Sequence, residues 1–354
     1  MGTKHNLTIE GIITLLSPLS HIGSVQGTDS LFVRGKVISN GKIREVARYN
    51  GNAFRGAWRD CGALYLFEKL NNPKMSLDIF HLFTSGGAIA GAQVVDIERA
   101  EQIRAMFPLI SIFGGGARSQ ILEGKMCIGF GVPLVAETQG IIPERFRSMD
   151  APAWRLLTEE VYSTRQDDSK KERFKPYIAE APALAKPEPE KVATPEPQNL
   201  FGDEEPESIT RGAAKAQAKM DKMEKDGPAQ QMRVMVEALC AGSQLYHRID
   251  LFDMSDLELG AFVSCLDYFS QKPYLGGKSG SGFGLCTVEY EFYENGERKP
   301  FMAISENHVR RGELAEAAKQ TYDQFLLNLY QQHLADNQQP LKAMLEAAKM
   351  QGGG

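Results

Sequence analysis

Five glycines, two serines and one lysine fall within the run Leu275-Gly276-Gly277-Lys278-Ser279-Gly280-Ser281-Gly282-Phe283-Gly284. Glycine tolerates positive φ and lets the backbone approach closely, so such a loop can turn several N–H groups toward an anion. Two familiar anion loops fail on spacing. A Walker A loop needs a glycine five positions before Gly277, where Lys272 stands. A dinucleotide fingerprint follows a strand and opens a helix. Here a helical pattern comes first, and an alternating segment follows, with Cys286, Val288, Tyr290 and Phe292 apolar and Thr287, Glu289 and Glu291 polar. The unit reads as helix, glycine loop, strand. Gly276, Gly277, Lys278, Ser279 and Gly280 are its candidate anion contacts; a plain flexible connection is the alternative.

A second set of basic residues lies early in the chain. Between Lys42 and Arg59 there are five basic residues (Lys42, Arg44, Arg48, Arg55, Arg59) and one acid, Glu45. The segment Asn50-Gly51-Asn52-Ala53-Phe54-Arg55-Gly56-Ala57-Trp58-Arg59 predicts a helix capped by Asn52. Its apolar face would be Phe54, Ala57, Trp58, Cys61, Leu64 and Tyr65. Arg55 and Arg59, four apart, share a flank near the helix start, where free N–H groups and the helix dipole also favour phosphate. A solvated flank is the bland reading. His21, in the turn Ser17-Pro18-Leu19-Ser20-His21-Ile22-Gly23, could contact phosphate, act as a base, or simply hold a structural hydrogen bond. Arg118 and Ser119 sit in another small-residue loop, Gly114 to Ser119, and could reach phosphate too.

Composition bounds these readings. The chain has 354 residues, 42% hydrophobic and 24% charged, which is ordinary for a soluble globular protein. A net charge of -5 argues against whole-surface attraction to nucleic acid, so a basic patch has to carry any such binding. The five cysteines (Cys61, Cys127, Cys240, Cys265, Cys286) have no paired spacing and read as reduced core thiols. No apolar signal segment or membrane-length apolar run is present, so the expected location is the cytoplasm. No cofactor or metal site is expected.

The elements that must position these residues follow from periodicity. Leu7 to Leu15 alternates as a strand. Ser39-Asn40-Gly41 predicts a tight turn. Asp78 to Thr84 fits a short strand or the close of the first helix, Ile97 to Phe107 a helix ending at Pro108, and Lys125 to Val135 a strand. Residues 163–229 change character, with seven prolines in residues 176–206, and predict a mobile insertion. Strands resume at Met232 to Leu239 and Gln244 to Phe252. Ser255-Asp256-Leu257-Glu258 is a capping-box sequence before a helix with Leu259, Phe262, Val263, Leu266 and Phe269 on its apolar face. Residues 304–354 predict a helical tail, with Tyr322, Phe325, Leu326, Leu329 and Tyr330 as a face that docks on the chain itself, and a short final helix over Leu341 to Met350. The order fits a βαββαβ-type α+β sheet with helices on one face, the other face being a common platform for single-stranded RNA. Residues 1–162 and 230–303 would be its two parts.

The Ser17-to-Gly23 turn, the Asn50-to-Arg59 helix start and the late Gly276-to-Gly284 loop occur in one order. This trio resembles the RAMP superfamily of CRISPR effector proteins, and is most similar to the backbone subunit of type IV systems, with type III backbone subunits next. The likeness covers most of residues 5–160 and 230–293. It implies a ferredoxin-like (RRM-like) palm with long finger- and thumb-type insertions and several copies packed along a crRNA guide. It also implies complementary target nucleic acid and other CRISPR effector subunits as partners. Carried over, it places Asn52, Arg55 and Arg59, and Gly277, Lys278, Ser279 and Gly280, near guide phosphates. With the basic and polar residues beside these motifs, the expected RNA-binding set also takes in His21, Arg34, Arg48, Asn50, Arg118, Ser119 and Gly276. Such contacts read backbone charge and not sequence. Type III-like backbone subunits cut target RNA with an aspartate in the loop after the first strand, and Asp29 stands in a comparable loop. The type IV likeness implies no cleavage. Two other classes remain as alternatives: a guide-processing endoribonuclease using His21, and a small-molecule enzyme built on the glycine loop.

Overall fold

The computed structural model of the chain describes residues 4–75, 77–87, 97–117, 120–165, 232–294, 296–305 and 308–335. The chain divides into two compact units, residues 1–161 with 236–354, and residues 162–235. In chain order the elements begin with strands β1 (Lys4–Leu15), β2 (Ile22–Gln26), β3 (Asp29–Phe32), β4 (Arg34–Ser39) and β5 (Lys42–Ala47). Helices α1 (Gly51–Lys69), α2 (Leu77–Thr84), α3 (Ile97–Met106) and α4 (Pro108–Phe113) follow. Then come strands β6 (Gly115–Ala117), β7 (Gln120–Leu122), β8 (Met126–Ile128) and β9 (Val132–Pro133). Strands β10 (Thr158–Arg165) and β11 (Met232–Leu239) lead into and out of the smaller unit. The larger unit finishes with β12 (Gln244–Ser255), α5 (Asp256–Phe269), β13 (Cys286–Glu294), β14 (Glu297–Ser305), β15 (His308–Arg311) and α6 (Glu313–Ala335).

The main sheet runs β15-β14-β13-β1-β12-β8, with β9 also joined to β12. All of these pairings are antiparallel. Alternation decides its faces. Ile9 and Ile13 of β1 lie opposite Ile249 and Leu245 of β12 and opposite Phe292 and Val288 of β13, and all six are buried. Helices α1 and α5 cover this face: Trp58 meets Phe262 edge-on at 6.0 Å, and Phe54 lies 4.2 Å from His247 between ring centroids.

The start of α5 is set by its capping box. The Ser255 Oγ accepts from the Glu258 N–H at 3.2 Å, and the Glu258 carboxylate accepts from the Ser255 N–H at 2.8 Å. Behind that cap, Leu259, Phe262, Val263, Leu266 and Phe269 are all buried. Helix α6 packs on α5, where Gly260 leaves space that a Cβ would fill against the Ala318 carbonyl. Tyr322, Leu326 and Leu329 are buried and Phe325 and Tyr330 pack against the core, so this aromatic face docks on its own chain.

Several expectations change. Helix α1 begins at Gly51, so the N-cap position falls on Asn50, and Asn52 is an exposed first-turn residue. Leu64 is exposed, because the buried face drifts to Ala63, Tyr65 and Leu66. Asp78 to Thr84 is helical, as α2. The single strand expected from Lys125 to Val135 is two short ones, parted at Gly129 to Gly131 where the backbone turns to pair with Tyr49. The tail is not helical from residue 304: β14 ends at Ser305 and β15 adds an edge strand before α6. The second sheet face does not suit RNA. It carries Glu10, Asp250, Glu289 and Glu291 together with Arg248, which pairs with Asp250 at 2.8 Å, and Arg145 bridges Glu10 at 3.0 Å and Glu291 at 3.7 Å. The cations on that face are taken up by its own carboxylates, and the turn bearing Arg145 and Phe146 lies over it, against Tyr246. The expected insertion lies outside the described residues except for residues 163–165, as does the short helix expected over Leu341 to Met350. No helix among the described residues is long and apolar enough to cross a membrane.

Candidate nucleic-acid interface

Three segments distant in sequence meet at the N-terminal end of α1. β1 delivers the Ser17-to-Gly23 turn, whose Leu19 pairs with Leu239 in an isolated bridge. The His21 Nε2 accepts the Asn50 N–H at 3.3 Å. Tyr49 packs against His21 with ring centroids 4.5 Å apart and the planes tilted by 41°, and its hydroxyl accepts the Gly276 N–H at 2.9 Å. The Ser20 carbonyl accepts the Gly277 N–H at 3.2 Å, and the Pro18 carbonyl accepts the Gly284 N–H at 2.7 Å. The glycine loop is thereby tied down at both ends. Burial lowers the pKa of His21 and pushes the Tyr49 phenol up to about 12. His21 is a neutral acceptor here, the structural one of its three readings.

Between its tied ends the loop has a distinct geometry. Gly276 and Lys278 have φ of 72° and 65°, and Ser279–Ser281 forms a single 3-10 turn. The Ser281 and Gly282 N–H groups are used inside that turn. The N–H groups of Lys278, Ser279 and Gly280 have no acceptor among the described residues. Successive free N–H groups after a left-handed residue form a concave nest for an anion. The Lys278 side chain is exposed and forms no ion pair among the described residues. Gly277 and Gly280 have no protein atom near where a Cβ would stand. Phe283 anchors the far side of the loop by packing with Val236 and Ala238.

The other predicted residues divide. Asn50 belongs to the cluster, and its Oδ1 is buried without a partner among the described residues, as is the Oγ of Ser20. Arg48 lies beside it, with its guanidinium 4.4 Å from the Phe130 ring centroid and no carboxylate partner among the described residues. Arg55 and Arg59 do not converge on the glycine loop. Both donate to the Phe113 carbonyl, and Arg59 also donates to Gly114 at 3.0 Å, so they hold the carbonyl end of α4. Burial and then the Arg55 charge lower the pKa of Arg59. Neither pairs with a carboxylate among the described residues, and the loop they brace runs on toward Arg118 and Ser119, which lie outside them. Arg34 is committed elsewhere, to Glu237 at 2.7 Å and over the Trp154 ring at 5.2 Å. Asp29 opens β3, with Thr28 Oγ1 donating to its carboxylate at 3.4 Å. Residue types and spacing gave no signal for Tyr49; for Phe130 the available hint was its place between Gly129 and Gly131.

No family model and no curated protein matches the chain. Among solved structures it is similar to a chain of a "Type IV-B CRISPR Complex", at 18% identity and a TM-score of 0.50. The likeness covers 82% of this chain and 92% of that one. It is a likeness of fold.

Proposed function

We propose that this chain is a guide-RNA-binding backbone subunit of a CRISPR interference complex, of the RAMP superfamily and nearest to type IV. One observation carries the reading: the Ser17-to-Gly23 turn, the α1 start and the glycine loop are hydrogen-bonded into one cluster, with three N–H groups and a lysine left without a partner among the described residues. Such a cluster recognises phosphate without reading bases. The strand order β13-β1-β12-β8, with α1 and α5 as crossovers, supports a ferredoxin-like palm. The fold likeness to a chain of a "Type IV-B CRISPR Complex" supports the assembly. On this reading copies of the chain pack along crRNA in the cytoplasm, leave the guide bases to pair with a target, and join other effector subunits. The chain is then a scaffold and not a nuclease, Asp29 included.

Lys278→Glu tests the site. Lys278 is exposed, so thermal stability stays unchanged while RNA affinity falls. The slope of log K against log salt flattens by about 0.7 for each phosphate contact removed from a single strand. Unchanged affinity and slope, measured by titration of a labelled single-stranded RNA, remove the glycine loop from the interface.

A further inference from the structure

An aromatic side chain is displayed beside this cluster. Phe130 is 46% exposed in the turn between β8 and β9, and both its neighbours are pinned. The Gly129 N–H donates to the Arg248 carbonyl at 2.8 Å, and its carbonyl is 3.2 Å from the buried His247 ring. Gly131 and Tyr49 exchange two backbone hydrogen bonds of 2.9 and 3.0 Å. The backbone that carries the ring is therefore pinned on both sides, one residue from the partner of Tyr49.

One side of the ring is backed by a cation. The Arg48 guanidinium sits over it, wedged against Gly35, where a Cβ would stand 2.7 Å from the Arg48 Cδ. The Arg48 backbone N–H donates to the Val33 carbonyl at 3.1 Å, and the side-chain Nε is buried without a partner among the described residues. The guanidinium packs against Gly35, so ring and cation form one surface beside Tyr49, whose hydroxyl ties down the glycine loop at Gly276. A flat apolar ring fixed beside phosphate-binding groups fits a nucleobase, because every base has a π-face that stacks irrespective of identity.

We infer that Phe130 is a stacking platform for one base of the bound single-stranded RNA and that Arg48 is its positioning residue. The inference rests on the RNA-binding reading above. It adds a base contact that phosphate recognition alone does not need.

The test compares Phe130→Ala and Phe130→Trp with the unaltered protein, on a single-stranded RNA and on the same ribose–phosphate chain made abasic. The unaltered protein should bind the RNA about tenfold or more tightly than the abasic chain, the range expected for one stacked base. Phe130→Ala should lose that preference while keeping its salt slope, and Phe130→Trp should restore it. If Phe130→Ala fails to fold, the abasic comparison on the unaltered protein decides. Equal affinity for RNA and abasic chain, or a preference that survives in Phe130→Ala, overturns the inference and leaves phosphate binding intact. No affinity for either chain overturns the RNA-binding reading itself.

Discussion

Alanine at Gly276 should lower the unfolding free energy by about 2–3 kcal/mol, whereas alanine at its neighbour Gly277 should change it by no more than about 0.5 kcal/mol. The two glycines look alike in sequence and differ in what surrounds them. Gly276 has φ of 72°, and a Cβ there would stand 2.1 Å from the Ser20 carbonyl oxygen. A left-handed conformation costs a side-chain-bearing residue about 1–2 kcal/mol, and a backbone collision at that distance forces the loop off the turn it is tied to. Gly277 meets no protein atom within 4 Å, and neither does Gly280. Alanine at Gly277 or Gly280 should therefore spare stability and weaken RNA binding, because the space each leaves is where a phosphate would approach. Thermal denaturation separates the first effect and RNA titration the second. Tolerance of alanine at Gly277 and Gly280 in both assays would mean the loop is only a connection.

Acidification should destabilise the protein through His247. The imidazole is fully buried, facing Phe54 and Trp58, with Tyr290 Oη 2.7 Å from Nδ1 and the Gly129 carbonyl 3.2 Å from Nε2. A carbonyl only accepts, so Nε2 carries the proton and Nδ1 accepts from the Tyr290 hydroxyl. Burial lowers the pKa from 6.5 to about 3. Between those values the unfolded chain binds a proton that the folded chain does not, so stability falls as pH drops. The slope is about 1.4 kcal/mol per pH unit below 6.5, or about 2.7 kcal/mol lost at pH 4.5. The effect is absent above pH 6.5 and levels off near pH 3. His21, also lowered by burial, acts in the same direction. Urea midpoints at pH 7.0, 5.5 and 4.5 should fall steeply for the unaltered protein and less steeply for His247→Phe, which loses two hydrogen bonds but no longer titrates. Identical pH slopes would place the acid sensitivity elsewhere.

Parts of this arrangement were legible from local pattern alone. Ser255 and Glu258 announced the start of α5, and the alternation from Cys286 to Phe292 announced β13, because capping and burial on one face act over a few residues. The Asn40-Gly41 turn was readable for the same reason: both residues adopt positive φ between β4 and β5. Partnerships across the chain were less accessible. Arg55 and Arg59 read as a phosphate pair, yet the short apolar run Ile110 to Phe113 folds as α4 and presents its carbonyl end to them. A run of that length carries no decisive period. Arg34 was indistinguishable from a free cation until Glu237, some two hundred residues later, came to rest against it. The open sheet face looked suitable for RNA by topology, but its register brings Glu10 beside Glu291, and register is a tertiary property. The resemblance put the helix start and the glycine loop each near guide phosphates; that they meet, together with the turn, is visible only in the hydrogen bonds of His21, Tyr49 and Ser20.

If the cluster around the glycine loop holds a guide RNA, the protein carries that RNA through purification. Sequencing the RNA that copurifies with it, with and without a co-expressed guide array, reads this out. Protected guide fragments with regularly spaced ends, lost in the Lys278→Glu variant, are the expected result. A protein free of RNA whether or not the array is present, and monomeric in both cases, would contradict it.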